Sequence, residues 1–227
     1  MPNQIVSIQN CSYHISLEGK LIQILKDISF DIFENSITLI TGRSGSGKTT
    51  LIHCIAGLIV PQKGSINFES SDLCQMNHNK RAKYRLENTG IVYQSFNFLP
   101  SLTIEENIVL PAIMAKQPRD QYIKNCNQLC QELGIENQQN LLPQSVSGGE
   151  LQRAALVRAL INQPKIIFAD EPTGNLDTSN RDIILNTFKK IKNEKELSIV
   201  FTSHDPIAYE IADRVVELGD GKLLSVK

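Results

Sequence analysis

Segment 42–49 has the residue types and the spacing of a loop that binds phosphate groups. It reads GRSGSGKT and matches the pattern GxxxxGK followed by Ser or Thr. The glycines allow backbone N–H groups to turn towards phosphate oxygens, and a helix beginning here would add its positive N-terminal end. Lys48 would contact the β- and γ-phosphates, and the Thr49 hydroxyl would bind Mg²⁺. The predicted nucleotide-binding residues of this segment are Gly42, Arg43, Ser44, Gly45, Ser46, Gly47, Lys48, Thr49 and Thr50.

An acidic pair, Asp170 and Glu171, directly follows the apolar run KIIFA at 165–169. A carboxylate at the carboxyl end of a buried strand lies where ligands bind in parallel sheets. Asp170 fits a Mg²⁺ ligand, and Glu171 fits the group that polarises an attacking water. Acidic residues also occur in loops after strands without any such role. The phosphate-binding segment upstream favours hydrolysis of a nucleoside triphosphate.

Strands that alternate with helices would position these residues. Such alternation predicts a largely parallel sheet covered by helices on both faces. The first two strands, separated by a polar turn at 16–20, predict an antiparallel edge sheet, and the chain ends in a strand pair around 219–221. The predicted strands are 4–8, 27–32, 36–41, 64–68, 90–93, 165–169 and 198–202, and the predicted helices are 49–58, 151–161 and 181–192.

Residues 95–145 differ from the rest of the chain, because helix formers alternate there with polar breaks and prolines. This composition predicts a separate helical lobe. We therefore expect a single nucleotide-binding domain over 1–227. Its core and antiparallel β parts would comprise 1–94 and 151–227, and its helical subdomain about 95–150.

The bulk composition is that of an ordinary globular domain. The 227 residues include 23 basic and 24 acidic side chains, a net charge of −1 that makes no electrostatic case for a nucleic-acid partner. The five cysteines lack a CxxC pair and favour reduced, partly buried thiols. No signal peptide is visible, and the most apolar stretch, 51–60, is too short to span a bilayer.

Segment 146–150 reads VSGGE and is followed by LQR. At this point the sequence resembles the ABC ATPase family, whose signature reads LSGGQ just before a helix. The resemblance implies an α/β fold of the P-loop NTPase kind, with a parallel core sheet, an antiparallel β edge subdomain and an inserted helical subdomain. It also implies two ATP molecules sandwiched in a head-to-tail homodimer, with Ser147, Gly148 and Gly149 contacting ATP bound to the other subunit. Val146 and Glu150 depart from the commonest signature.

Further motifs of the family follow in the expected order. Gln94 resembles the loop glutamine that reaches Mg²⁺ and the attacking water. Segment 175–177, with Asp177, resembles the dimer-contact loop. His204 resembles the histidine that contacts the γ-phosphate and orients Glu171. Tyr13 resembles the aromatic residue that stacks on adenine, although it could equally serve ordinary sheet packing.

The stretch ADEPTGNLD at 169–177, together with YQSFNFLP at 93–100, resembles the lipoprotein-releasing and macrolide-export branch. That likeness implies the ATP-binding subunit of a bacterial transporter, cytoplasmic and peripheral on the inner face of the membrane. Its permease would be a separate polypeptide with four transmembrane helices and a large extracytoplasmic domain. Phe96, Phe98 and Leu99 would lie near the groove for the permease's coupling helix, or would pack inside the helical lobe.

Three other functions are alternatives to transport. A regulatory ATPase that activates cell-wall enzymes through a membrane partner would share the same branch motifs. A soluble ABC ATPase of DNA repair or translation usually has two nucleotide-binding domains, coiled coils or zinc modules, and the sequence has none of these. A simple kinase would leave the SGGE segment unexplained.

Overall fold

The computed structural model describes residues 3–174 and 176–227. The strands in these residues are β1 (Gln4–Leu17), β2 (Lys20–Phe33), β3 (Ile37–Gly42), β4 (Lys63–Phe68), β5 (Ser71–Asp72), β6 (Thr89–Val92), β7 (Ile166–Ala169), β8 (Ser198–Thr202), β9 (Arg214–Gly219) and β10 (Lys222–Val226). The α-helices are α1 (Lys48–Ile55), α2 (His78–Asn88), α3 (Ile104–Met114), α4 (Arg119–Glu132), α5 (Gly148–Leu160) and α6 (Thr178–Lys195). Short 3-10 helices comprise Glu136–Gln138, Pro143–Ser145 and Pro206–Glu210.

Two sheets form the framework of the fold. The first is antiparallel, with the order β2-β1-β4-β5. The second has the order β10-β9-β3-β8-β7-β6, in which only β10 runs antiparallel to its neighbour. The predicted α/β class, with a parallel core sheet and an antiparallel edge sheet, is confirmed.

The central strands of the parallel sheet are buried on both faces. In β8, Ile199 and Phe201 join the apolar core beneath α3, α4, α5 and α6. Val200 between them faces the opposite core, which α1 and the antiparallel sheet complete. Side chains of a strand alternate between faces, so a strand covered on both sides needs a continuous apolar run. The run SIVFT at 198–202 meets that requirement.

Helices α3 and α4 occupy most of the predicted helical lobe. Thr103 begins α3 with a capping box, because its hydroxyl accepts the Glu106 N–H and the Glu106 carboxylate accepts the Thr103 N–H. Helix α5 contacts both α3 and β6, and thus runs from the lobe into the core. The expected boundary at residue 150 lies inside α5.

Several elements differ in extent from their predictions. Strands β1 and β2 each have 14 residues, far more than the short apolar runs suggested. Helix α1 ends at Ile55, three residues early, because Gly57 follows with φ +68° and closes the turn. Helix α2 was not predicted. It is polar and basic, has no buried residue and lacks an apolar face that would mark it in the sequence.

None of the helices in the described residues is long and apolar enough to cross a bilayer. The five cysteines are free thiols, and only Cys74 is more than slightly exposed.

Candidate functional site

The predicted phosphate-binding loop joins the end of β3 to the start of α1. Gly42 has φ +146°, and a Cβ atom there would lie 2.3 Å from the Leu218 carbonyl oxygen. Gly47 has φ +98° at the N-cap of α1, where a side chain would crowd Leu25 and Ile24 of β2. L-residues rarely adopt such angles, so the sequence needs glycine at both positions. The strand–loop–helix arrangement is the one the motif requires.

Lys48 lies inside this loop and is 7% exposed. Its Nζ donates to the carbonyl oxygens of Gly42 at 2.9 Å and Arg43 at 3.1 Å. Ser46 Oγ is buried and has no hydrogen-bond partner among the described residues. A buried hydroxyl and a buried ammonium in one glycine-rich loop suit a polyanionic ligand. The rest of the motif lies at the surface, with Arg43, Ser44, Gly45 and Thr49 exposed and Thr50 half-buried.

Asp170 lies beside this loop, at the carboxyl end of β7, and is 6% exposed. Its Oδ1 accepts hydrogen bonds from Thr49 Oγ1 at 3.2 Å and from Thr202 Oγ1 at 2.8 Å. Strands β3, β7 and β8 are parallel neighbours, so their carboxyl ends bring these three side chains to one edge of the sheet. The predicted metal ligands Thr49 and Asp170 are therefore in direct contact.

Glu171 is the next residue and has a left-handed backbone, with φ +44°. Its N–H donates to Thr202 Oγ1 at 2.7 Å. Gln94 Nε2 donates to Glu171 Oε2 at 3.0 Å, and His204 Nδ1 lies 3.8 Å from Oε1. Gln94 and His204, two of the three residues predicted to act in hydrolysis, thus converge on the carboxylate of the third, Glu171. Left-handed backbone in a non-glycine residue is uncommon, and it turns the Glu171 side chain towards these partners.

The segment that carries His204 is fixed by polar contacts. Asp205 accepts the Ile207 N–H at 3.1 Å and forms a 3.0 Å ion pair with Arg181 of α6. His204 itself is mostly exposed, with 69% of its side chain accessible. The residue after it is thus anchored, while the His204 ring lies at the surface beside Glu171.

The predicted signature residues form the N-terminus of α5. Ser147 is the N-cap, and its N–H and Oγ donate to Glu150 Oε2 at 3.0 and 2.6 Å. Gln138 donates to the other carboxylate oxygen at 2.6 Å. These hydrogen bonds hold the pKa of Glu150 below its usual value. A Cβ on Gly148 would meet no described heavy atom within 4 Å, so the backbone there is open to an approaching ligand.

Gly149 lies where the N-terminus of α5 packs closely against the start of α6. A Cβ at Gly149 would lie 2.2 Å from Asn180 Oδ1. Asn180 also accepts from Arg153 at 3.1 Å and donates to Asp177 Oδ2 at 2.8 Å. Asp177 is the N-cap of α6, and hydrogen bonds from Asn180 and Ser179 lower its pKa to about 2. Asn175, part of the predicted dimer-contact loop, lies outside the described residues.

The sequence left two roles open for Tyr13 and for the loop trio of Phe96, Phe98 and Leu99. Tyr13 is half-buried on β1, packs against the core below the antiparallel sheet and keeps part of its ring accessible. Phe98 packs against the core of the helical lobe and beneath the Arg158 guanidinium. Phe96 is half-buried, and Leu99 is 50% exposed. Only Leu99 of the loop trio is available at the surface.

Thr202 and Asn180 are the polar residues that sequence reasoning missed. Thr202 bridges Asp170 to Glu171, and Asn180 bridges the signature helix to Asp177. A signal for Thr202 exists in the sequence, because a threonine directly follows the apolar run 199–201 of β8 and lies two residues before His204. Asn180 carries no comparable signal, since its contacts with Gly149 and Arg153 of α5 join positions that are distant in sequence.

Known proteins resemble this chain in sequence and in fold. A family model described as "ABC transporter" matches residues 25–174. The bacitracin export ATP-binding protein BceA of Halalkalibacterium halodurans is 36% identical over 201 residues, covering 88% of this chain and 79% of BceA. The lipoprotein-releasing system ATP-binding protein LolD of Leptospira interrogans is 35% identical over 205 residues, covering 90% of this chain and 86% of LolD.

A solved dimeric ATP-binding cassette, captured after hydrolysis with ADP and Pi bound, superimposes with a TM-score of 0.92. It is 30% identical, and the match covers 98% of this chain and 97% of that one. The fold of the present chain, with its glycine-rich loop between β3 and α1, is that of a P-loop ATPase. The chain belongs to the ABC transporter family, and it is an ATP-binding subunit that hydrolyses ATP.

Proposed function

We propose that this chain powers export or mechanotransmission through a separate bacterial membrane permease, as one half of a homodimer that binds two ATP molecules between its subunits. The observation that carries the proposal is the polar cluster at the carboxyl ends of β6, β7 and β8. There Gln94, Asp170 and Glu171 lie next to the phosphate-binding loop. These are the groups needed to hold a nucleotide and to polarise water.

The donor set beside the loop fits Mg²⁺. The Thr49 hydroxyl and an Asp170 carboxylate oxygen are 3.2 Å apart, and the Gln94 amide oxygen is left over once its nitrogen donates to Glu171. Hard oxygen ligands of this kind are those that Mg²⁺ prefers. When bound, the ion would neutralise charge on the β- and γ-phosphates. Thr49, Asp170 and Gln94 would hold it.

Glu171 is the proposed residue that polarises the attacking water. Its carboxylate is aimed by Gln94 and His204, and its backbone is tethered to Thr202. The water oxygen attacks the γ-phosphorus, the bond to the ADP oxygen breaks, and Glu171 draws the water proton. Lys48 would release its two loop carbonyls to contact the phosphates.

The second half of each site would come from the other subunit. The N-terminus of α5, with Ser147, Gly148 and Gly149, offers N–H groups and a helix dipole to the γ-phosphate. Support comes from the solved relative, which is a dimer. Tyr13 would stack on the adenine, and Asp177 would lie at the dimer contact.

The dimer is tested with Glu171→Gln, which should bind ATP, nearly abolish turnover and accumulate as an ATP-dependent dimer in size-exclusion chromatography. Adding Ser147→Arg should abolish that dimer, because the long cationic side chain fills the interface. Ser70→Arg, on the exposed turn after β4, is the matched control and should dimerise normally. A dimer that persists with Ser147→Arg would contradict the sandwich arrangement.

A surface for the permease lies between α2 and α3. This α2–α3 groove is lined largely by apolar atoms, including those of Leu86, Tyr93, Pro111 and Met114. Met114 is 69% exposed, and exposed apolar grooves of this kind receive amphipathic helices. Docking there would hold the chain at the cytoplasmic face of the membrane.

The docking proposal is tested by co-purification from detergent-solubilised membranes. The expected companion has four transmembrane helices and a large extracytoplasmic domain. Met114→Glu should abolish its recovery while basal ATPase activity is unchanged. Leu21→Glu, at a site 73% exposed on the β1–β2 hairpin, is the control and should have no effect. Full recovery with Met114→Glu would argue against this groove.

A further inference from the structure

The loop that follows β6 carries Gln94 and has an unusual backbone. Phe96 and Asn97 are consecutive non-glycine residues with φ of +60° and +51°. Left-handed angles in two successive L-residues persist only where surrounding contacts hold them. The local hydrogen bonds are few, with the Phe96 and Asn97 N–H groups donating to Tyr93 and Ser95.

Asn107 of α3 fixes the end of this loop, because it accepts the Leu99 N–H at 2.7 Å and donates to the Leu99 carbonyl oxygen at 3.0 Å. The carbonyl groups of Phe96 and Asn97 are held by Arg158, near the end of α5. Its Nη1 donates to the Asn97 carbonyl oxygen at 2.8 Å, and its Nη2 donates to the Phe96 carbonyl oxygen. Its guanidinium carbon lies 4.6 Å from the centre of the Phe98 ring. One planar cation therefore contacts three consecutive residues of the loop, which a lysine could not do.

Helix α5 connects these contacts of Arg158, called here the clamp, to the signature segment 146–150. Ser147 caps one end of the helix, and Arg158 lies about three turns along, roughly 16 Å away along the axis. A helix transmits displacement of one end to the other as a rigid rod. Any movement of the signature towards a nucleotide would thus be passed by Arg158 to the loop of Gln94.

We propose that Arg158 is a positioning residue that sets Gln94 against Glu171 and the metal site according to the position of α5. The inference rests on the proposed role of Gln94 and adds the residue that controls it. Arg158 also lines the α2–α3 groove, so a docked partner would contact the clamp directly. A purely structural Arg158 would only stabilise the fold.

The test replaces Arg158 by Lys, which keeps the charge and loses the fork. For Arg158→Lys we expect kcat to fall about tenfold or more, with KM for ATP nearly unchanged and a higher Mg²⁺ concentration needed for half-maximal activity. Arg81→Lys is the matched control. Arg81 likewise donates to two backbone carbonyls, those of Leu73 and Met76, but lies outside the Gln94 loop. Its kcat and Mg²⁺ dependence should match the wild type.

A double mutant separates positioning from folding. If Arg158 acts through Gln94, adding Arg158→Lys to Gln94→Ala should lower kcat by less than about twofold further. The inference would be overturned if the two substitutions lowered kcat by factors that multiply in the double mutant, or if Arg158→Lys alone had a normal kcat. If Gln94→Ala alone retained full activity, the proposed role of Gln94 would fail, and the inference with it. A reduced kcat in Gln94→Ala with a normal Arg158→Lys would refute only the inference.

Discussion

Thr202 should be essential to the site because it links Asp170 to Glu171. It is fully buried, donates to Asp170 Oδ1 at 2.8 Å and accepts the Glu171 N–H at 2.7 Å. Thr202→Val preserves the shape of the side chain and removes both hydrogen bonds. The Glu171 N–H then loses its acceptor, and the Asp170 carboxylate loses its shorter donor.

The magnitude follows from these two lost bonds. A buried polar group left unsatisfied costs about 1–3 kcal/mol of unfolding free energy. For a chain of this size that corresponds to a fall in Tm of roughly 2–12 °C. The catalytic loss should be larger, because Glu171 keeps its left-handed backbone only while its N–H is held. Misplacement by about 1 Å costs about a hundredfold in rate, so we expect kcat to fall by that order.

The assay pairs thermal unfolding with steady-state ATPase measurements. Thr202→Ser keeps the hydroxyl, and its kcat should stay within a few-fold of wild type despite the missing methyl. Thr187→Val, which removes only a hydroxyl bonded within α6, should change neither quantity appreciably. Wild-type kcat in Thr202→Val would refute the reasoning that Thr202 fixes both carboxylates.

Three further predictions concern the loop and the two helix N-termini. Lys48→Ala should weaken ATP binding about 10- to 100-fold in isothermal titration calorimetry, and an unchanged Kd would count against the loop assignment. Gly149→Ala should lower the urea-unfolding free energy by about 1–3 kcal/mol, because its Cβ displaces Asn180, while Gly148→Ala should be tolerated far better. Hydrogen bonds lower the pKa of Asp177 to about 2, so its capping contribution is complete above the unfolded-state pKa of about 4 and is lost as the pH falls from there through about 2. The stability gap between wild type and Asp177→Ala should therefore shrink from pH 6 to pH 2, and a constant gap would exclude the charged cap.

The sequence predicted the parallel strands and the residues at their ends, because both depend on local patterns. A strand buried on both faces needs an apolar run such as KIIFA or SIVFT, and a polar residue just after it must lie at the carboxyl edge of the sheet. Helix α2 escaped prediction because it is mostly polar. It docks on the core through Tyr84, which packs against Phe68, and through Arg81 and Arg85, which donate to backbone carbonyls. The roles of Thr202 and Arg158 depend on tertiary pairing that no local pattern records.

The two halves of the proposed ATP site, one around Glu171 and one at Ser147, differ in whether their side chains already make the contacts that the reaction needs. Within one chain, Gln94 already donates to Glu171, and Asp170 already accepts from Thr49 of the phosphate loop, so the groups that would bind Mg²⁺ and polarise water need no partner to assemble. At the signature, the Ser147 hydroxyl is already bonded to the Glu150 carboxylate at 2.6 Å. For Ser147 to donate to a γ-phosphate across the dimer, that bond must be exchanged for one to the nucleotide. In the proposed dimer, closure would therefore add stabilisation of the phosphate charge, and through Arg158 it would adjust a Gln94–Glu171 contact that a single chain already forms.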